Sequence, residues 1–347
     1  MTGNPIVTEA IDRAASGKDL SSEQAQGVLS EIMNDAVGEA QTAAFLIALR
    51  AKGETVDEVV GLARTMRALA QPVEVEDGED LLDTAGTGGG IPTFNVSTTA
   101  AFVAAAAGCK VAKHGNRSAT SLCGSADLLE ALGARIELAP DAVAGCIADV
   151  GFGFMFAPAH HQAMRHVVPV RKALGVRTIF NFLGPLTNPA GATRQLVGVS
   201  DPAYVDVIAG ALRELGCHRA AVVSSEDGMD EISVAGTTRL LEVTPERVSE
   251  HSIAPERVGL ERADAVSVRG GTPEENAAIS RAVLSGEGGP RRELIVLNAG
   301  AAIFIAGKTG SFEEGVRLAE RTIDSGAALD TMEAFVAKTV ELAGVAA

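Results

Sequence analysis

Asp83-Thr84-Ala85-Gly86-Thr87-Gly88-Gly89-Gly90, then Thr93-Phe94-Asn95-Val96-Ser97-Thr98 and an alanine-rich run to Ala107, is the stretch on which the reading of this chain turns. Leu81–Thr84 has the length and composition of a buried strand, and Thr98–Ala107 those of a helix stopped at Gly108. The glycines therefore lie between a strand and a helix, where backbone amides can approach an anion closely and the helix N-terminus adds free N–H groups and positive dipole. Asn95, Ser97 and Thr98 contribute hydrogen-bonding side chains, with Ser97 or Thr98 placed to cap the helix or to donate to phosphate. Read alone, the segment also fits a tight turn before a capped helix. Neither Walker A nor GxGxxG spacing is met, which weighs against P-loop and dinucleotide cofactors.

Outward from this loop, short apolar runs alternate with helical segments, the pattern of crossover units on a largely parallel sheet. Predicted strands are Leu81–Thr84, Lys110–Lys113, Arg135–Leu138, Gly153–Phe156, Gln195–Ser200, Ala220–Ser224 and Leu294–Leu297. Predicted helices include Ala126–Leu132, Pro140–Val150, Pro202–Leu215, Phe312–Ser325 and Asp330–Leu342. Residues 1–72 show only helical periodicity, with capping-box spacing at Ser21/Gln24 and Thr55/Glu58. The acidic stretch Pro72–Asp80 reads as a linker. The expected fold is α/β: a small N-terminal α-helical domain, residues 1–72, joined by helices from about 160–190, beside a large α/β domain, 73–347, with a mostly parallel central sheet.

Three further segments carry chemistry. Lys113-His114-Gly115-Asn116-Arg117-Ser118 ends a predicted strand, and ligands of open α/β sheets bind beyond the carboxyl ends of strands, so Lys113 suits phosphate and Asn116 a ring-bearing substrate. Arg117 serves structure or charge. In the run from His160-His161 through Arg171 to Gly184-Pro185, Arg171 can pair bidentately with a carboxylate and the Gly-Pro turn offers flat apolar surface. The adjacent histidines point in different directions on a helix and lack HExxH spacing or a cysteine partner, which argues against zinc. Asp230-Glu231, after the strand Ala220–Ser224, is a carboxylate pair that a hard cation such as Mg²⁺ would neutralise, although such a pair in a loop is commonly solvated.

The whole chain narrows the choices. At 347 residues and 46% hydrophobic it can bury a large core. A net charge of −16, no Trp and few aromatics disfavour nucleic acid, whose binding is driven by cations and stacking. No basic segment followed by an apolar run occupies Met1–Asp12, and the alanine-rich stretch is too short to span a bilayer, so no membrane association is expected. Four scattered cysteines, none in CxxC spacing, fit a reducing, cytoplasmic setting.

In this order the four segments resemble the anthranilate phosphoribosyltransferases, most closely through Ser125-Ala126-Asp127-Leu128-Leu129-Glu130-Ala131-Leu132-Gly133 and Phe180-Asn181-Phe182-Leu183-Gly184-Pro185-Leu186-Thr187-Asn188-Pro189. The resemblance implies transfer of a phosphoribosyl group from phosphoribosyl pyrophosphate to the amine of anthranilate, in tryptophan biosynthesis, by a Mg²⁺-dependent homodimer associating through its helical part. It places phosphoribosyl pyrophosphate on Gly86, Thr87, Gly88, Gly89, Asn95, Ser97, Thr98 and Lys113. Mg²⁺ falls to Ser97, Asp230 and Glu231, and anthranilate to Gly86, Asn116, His161, Arg171 and Gly184. No general base is implied. Two departures stand out: Gly90 replaces an Asp that usually follows Gly-Thr-Gly-Gly, in a loop one residue shorter, and Leu122-Cys123 replaces a common Lys-Ser. The glycine loop alone would also admit a pyrimidine nucleoside phosphorylase, which shares the fold, and the missing Asp a non-catalytic relative that binds nucleic acid.

Overall fold

The computed structural model describes residues 3–118 and 121–345; Met1, Thr2, Ala119, Thr120, Ala346 and Ala347 lie outside the described residues. Four helices come first, α1 (Pro5–Ala15), α2 (Ser22–Met33), α3 (Glu39–Lys52) and α4 (Val56–Ala68). Both expected capping boxes form, so that Ser21 and Thr55 each accept the N–H three residues on while Gln24 and Glu58 reach back to the cap N–H.

The chain then builds one seven-stranded sheet from β1 (Leu82–Gly86), β2 (Val111–Gly115), β3 (Phe152–Phe156), β4 (Arg194–Gly198), β5 (Arg219–Ser225), β6 (Thr238–Val243) and β7 (Val248–Ile253), in the order β3-β2-β1-β4-β5-β6-β7. The first five are parallel; β6 and β7 complete one edge as an antiparallel hairpin. Helix α5 (Val96–Ala106) carries the chain from β1 to β2 and is almost wholly buried, which is why its sequence is alanine-rich and apolar all round.

Period-two alternation divides the residues of the central strands between two cores. Ala221 and Val223 of β5 face α5 and the C-terminal helices Pro290–Ile305, Phe312–Asp324 and Ala327–Val345. Ala220 and Val222, together with Val197 of β4, face the opposite side, where helix Val205–Glu214 joins Leu29, Phe45, Leu62, Val170 and Phe180 in a second core. Arg67 of α4 fastens this side by donating from Nε to Leu186 O (2.7 Å) and from Nη1 to Leu215 O (3.3 Å). The N-terminal helices thus pack on the same hydrophobic mass as one face of the sheet.

Two expected strands are not strands. Leu294–Leu297 lies inside the helix Pro290–Ile305, which is buried on nearly every side; a helix with no solvent face presents the same continuous apolar run as a buried strand. Arg135–Leu138 is irregular: Ile136 and Leu138 enter the core as the alternation implied, but no neighbouring strand pairs with them, and the Arg135 N–H donates instead to Thr339 Oγ1 (3.0 Å). The hairpin β6–β7 was not anticipated. Helix α5 starts at Val96, so Ser97 and Thr98 lie within its first turn and the cap position falls to Asn95, whose side chain makes no capping bond.

Candidate active site

Strand order reverses between β1 and β4, the place where an open α/β sheet opens a crevice. A cleft of about 1000 Å³ opens there, between the carboxyl ends of these strands and the segment Ala157–Thr187. Its lining contains every expected site residue except Thr98. Thr98 is fully buried and its hydroxyl donates to Ser125 Oγ (3.0 Å), which withdraws its side chain from the cleft.

The glycine loop and the acidic pair meet directly. Gly88 N–H donates to Asp230 Oδ2 (2.9 Å), and Ile91 N–H to Gly228 O (3.2 Å). Gly90 is pressed against this second loop so closely that a Cβ would fall 2.5 Å from Gly228 O and 3.3 Å from Asp230 Oδ1. No side chain fits at position 90 without moving one loop, which gives a physical reason for glycine where Asp was the expected residue. Gly89 N–H and Gly90 N–H make no hydrogen bond to the rest of the described chain.

Charge is concentrated beneath the loop. Lys113, buried at the end of β2, donates through Nζ to Thr84 O and reaches Ser97 Oγ at 3.3 Å. Burial lowers its pKa, while Asp83 and Glu231 pull the other way. Asp83 is buried in β1, accepting from His114 N–H (3.2 Å) and Asn188 Nδ2 (2.7 Å), and burial raises its pKa. Desolvation also raises both Asp230 and Glu231, the latter further through repulsion from Asp230. Glu231 accepts from the Ser97 backbone N–H, and the two desolvated carboxylates are hard oxygen donors of the kind a divalent cation takes together with phosphate and water. Among the described residues no group of three or more His, Cys, Asp or Glu is disposed to hold a metal.

On the opposite wall Arg171 lies 5.5 Å from the Phe180 ring centroid, and among the described residues no carboxylate pairs with it. Burial lowers its pKa. His114 and His161 stand with ring centroids 5.0 Å apart; His114 Nδ1 contacts Gly184 O (3.1 Å) and His161 Nε2 contacts Thr187 O (3.1 Å). Burial drives their pKa values down to about 3 and about 4. Both rings are therefore neutral near pH 7, and each protonated nitrogen facing a carbonyl leaves the other as an acceptor. His160 turns away, its Nδ1 against Gln71 O (3.1 Å), a structural contact.

Two cleft residues, His114 and Arg177, and the buried Asp83 were not singled out from the sequence. Asp83 and His114 sit inside quoted motifs, but only strand register shows where they face. Arg177 had no signal, since its contacts with Thr87 O and Gly88 O span about ninety residues of chain. Arg117 proves structural, paired with Asp127 (3.0 Å) and Glu130 on helix Ser125–Ala131. At the second departure, Leu122 is exposed, whereas Cys123 is buried and donates through Sγ to Asn95 Oδ1 (3.1 Å), which also accepts from Asn276 Nδ2 (2.9 Å). Asn116 lines the cleft with Oδ1 accepting the Arg117 N–H (2.7 Å).

A helical bundle beside an α/β sheet, with an anion-binding loop in contact with a carboxylate pair at the cleft, is the architecture of a two-part glycosyl transferase. Residues 8–70 match the family model described as the glycosyl transferase family, helical bundle domain, and residues 78–329 the model described as the glycosyl transferase family, a/b domain. The anthranilate phosphoribosyltransferase of Rubrobacter xylanophilus is 55% identical, covering 98% of this chain and 99% of that protein. The crystal structure of anthranilate phosphoribosyltransferase from Thermus thermophilus superposes with a TM-score of 0.90 at 47% identity, covering 95% of this chain and 99% of the other. That of Saccharomyces cerevisiae, solved in complex with PRPP and Mg, gives 0.88 at 29% identity, covering 97% and 98%. This chain belongs to the anthranilate phosphoribosyltransferase family. These relatives favour the transferase over the nucleoside phosphorylase and the nucleic-acid-binding readings. Among the described residues no helix is long and apolar enough to cross a membrane.

Proposed function

We propose that this chain transfers the 5-phosphoribosyl group of phosphoribosyl pyrophosphate to the amino nitrogen of anthranilate. The amine lone pair forms the new bond to the anomeric carbon, pyrophosphate leaves with the electron pair of the broken C–O bond, and the nitrogen then loses a proton. The observation that carries this reading is the contact of the glycine loop with Asp230, which sets an anion cradle and a carboxylate pair together across the cleft from Arg171.

The free amides of Gly89 and Gly90, with Thr87 and the α5 N-terminus at Ser97, receive the phosphates, and Lys113 supplies positive charge from below. Gly86, Gly88 and Asn95 shape the same wall, Asn95 being fixed by Cys123 and Asn276. Ser97, Asp230 and Glu231 would hold Mg²⁺, whose use is supported by the complex of the yeast relative with PRPP and Mg. When bound, the cation stabilises the charge that collects on the departing pyrophosphate. Arg171 takes the carboxylate of anthranilate, while Gly184, Asn116, Gly86 and the neutral rings of His161 and His114 hold the ring and amine. An aromatic amine is uncharged at neutral pH and already nucleophilic, so alignment contributes more than proton removal, and no residue is assigned as base.

The division into a helical unit, residues 1–72 with about 160–190, and an α/β unit, 73–347, then separates acceptor from donor binding. We place the enzyme in the cytoplasm, where its four buried free cysteines stay reduced, and infer a homodimer. Along α3, Ala40, Ala44, Ile47 and Ala51 form an exposed apolar stripe at helical spacing, suited to a second copy. The deciding experiment mixes the protein with anthranilate, phosphoribosyl pyrophosphate and Mg²⁺ and follows anthranilate fluorescence. Time-dependent loss, matched by released pyrophosphate, is expected; unchanged fluorescence at saturating substrates rejects the reading.

A further inference from the structure

Arg177 lies outside every role assigned above, yet it joins the two walls of the cleft. It follows helix Val168–Leu174, which carries Arg171, and reaches across to the glycine loop. Nη1 donates to Gly88 O (2.5 Å) and Nη2 to Thr87 O (3.1 Å). Gly88 O also accepts from Ser200 Oγ (2.7 Å), at the end of the neighbouring strand.

These bonds fix the directions of two peptide planes. In a trans peptide the N–H points opposite to the C=O. A Thr87 carbonyl held by Arg177 therefore turns the Gly88 N–H toward the far side, where Asp230 Oδ2 receives it at 2.9 Å. A Gly88 carbonyl held by Arg177 and Ser200 likewise turns the Gly89 N–H away from Arg177, and that amide has no protein acceptor among the described residues. Gly89 adopts φ +82°, and a Cβ there would fall 1.4 Å from Arg177 Nη1, so glycine is required for the guanidinium to lie this close.

The guanidinium is itself held. It lies 5.2 Å from the Phe182 ring centroid, Phe182 stacks on Tyr204 at 3.9 Å and 14°, and the Tyr204 hydroxyl donates to Glu54 Oε2 (2.7 Å) between α3 and α4. A rigid stack rooted in the helical unit thus ends on the loop that presents amides from the sheet.

We infer that Arg177 is a positioning residue that holds the Thr87–Gly89 peptides so that the Gly88 amide stays on Asp230 and the Gly89 amide is turned to the pyrophosphate of the phosphoribosyl donor. It acts on donor affinity through the loop, and acceptor affinity is left to Arg171. The inference rests on the transferase reading above.

The test compares wild type, Arg177→Ala and Arg177→Lys in steady-state kinetics with each substrate varied, alongside thermal unfolding. Losing two charge-assisted bonds to the loop raises KM for phosphoribosyl pyrophosphate roughly tenfold or more in Arg177→Ala. KM for anthranilate stays within about twofold and the melting temperature holds. Arg177→Lys, which keeps the charge but can satisfy one carbonyl well, falls between. A donor KM unchanged in Arg177→Ala while the wild type turns over overturns this inference alone, as does an equal rise for both substrates. A wild type that does not turn over overturns the transferase reading instead.

Discussion

On the sheet side of the cleft the polar groups are backbone amides of Gly88, Gly89 and Gly90, backed by Asp230 and Glu231; on the helical side they are side chains, Arg171 over Phe180 and His161, whose ring meets His114 of β2. The first wall is made by the fold. Its amides take their direction from strand ends, a helix N-terminus and contacts such as Gly90 against Gly228 O, so any substitution there acts by displacing backbone. The second wall is made by residue choice. The Arg171 side chain can be removed without disturbing its neighbours' hydrogen bonds, since among the described residues only its backbone makes any, and its loss should be read in one substrate only.

The comparison breaks most visibly at the carboxylates. Replacing Asp230 and Glu231 together by Asn and Gln removes the negative pair and keeps its shape. Activity is expected to fall at least roughly a thousandfold and what remains to lose its dependence on Mg²⁺. Turnover that still titrates with Mg²⁺ would place the cation elsewhere. On the other wall, Arg171→Ala leaves a substrate carboxylate without its partner, and KM for anthranilate should rise by about a hundredfold with donor KM nearly unchanged. Equal increases for both substrates would show that the two walls do not divide the work.

A smaller effect sharpens the distinction further. Gly90→Asp introduces the acidic residue that the resemblance led us to expect, into a space where a Cβ meets Gly228 O at 2.5 Å. If the first wall is set by backbone contact, the carboxylate does not help: donor KM rises about tenfold and stability drops by about 1–3 kcal/mol. Improved donor binding would mean that the loops separate freely and that charge governs the wall.

Legibility in the sequence follows the same division. The glycine loop, Lys113 and the acidic pair could be singled out because residue type limits what such groups do at a strand end, and Arg171 because a guanidinium suits a carboxylate. The parallel strands were legible from short apolar runs, but Leu294–Leu297 was misassigned because a helix buried on all sides erases its own period. The resemblance gives Thr98 to the donor, and only the helical rotation shows that its hydroxyl turns to Ser125. Arg177 and Asp83 could not be found without the fold, since their meaning lies in contacts with residues distant in the chain or in the register of a strand.

The histidines supply the smallest expected effect, and it concerns stability. His114 titrates at about 3 and His161 at about 4 in the fold, both held down first by burial, against an ordinary value of 6.5. Between those values and about 6.5 the unfolded chain binds protons that the folded chain refuses, so stability must fall as pH drops through that window and is fully present above it. At pH 5 each imidazole accounts for about 2 kcal/mol on this reasoning. Denaturant unfolding of wild type and His114→Gln at pH 7 and pH 5 isolates the contribution, because carboxylates titrating in the same range cancel in the difference. The variant should lose less stability than the wild type on acidification, by that amount at most. Parallel losses in the two proteins would mean that His114 takes up its proton in the fold, and that the cleft bears a positive charge on β2 besides Arg171, where the substrate's ring would lie.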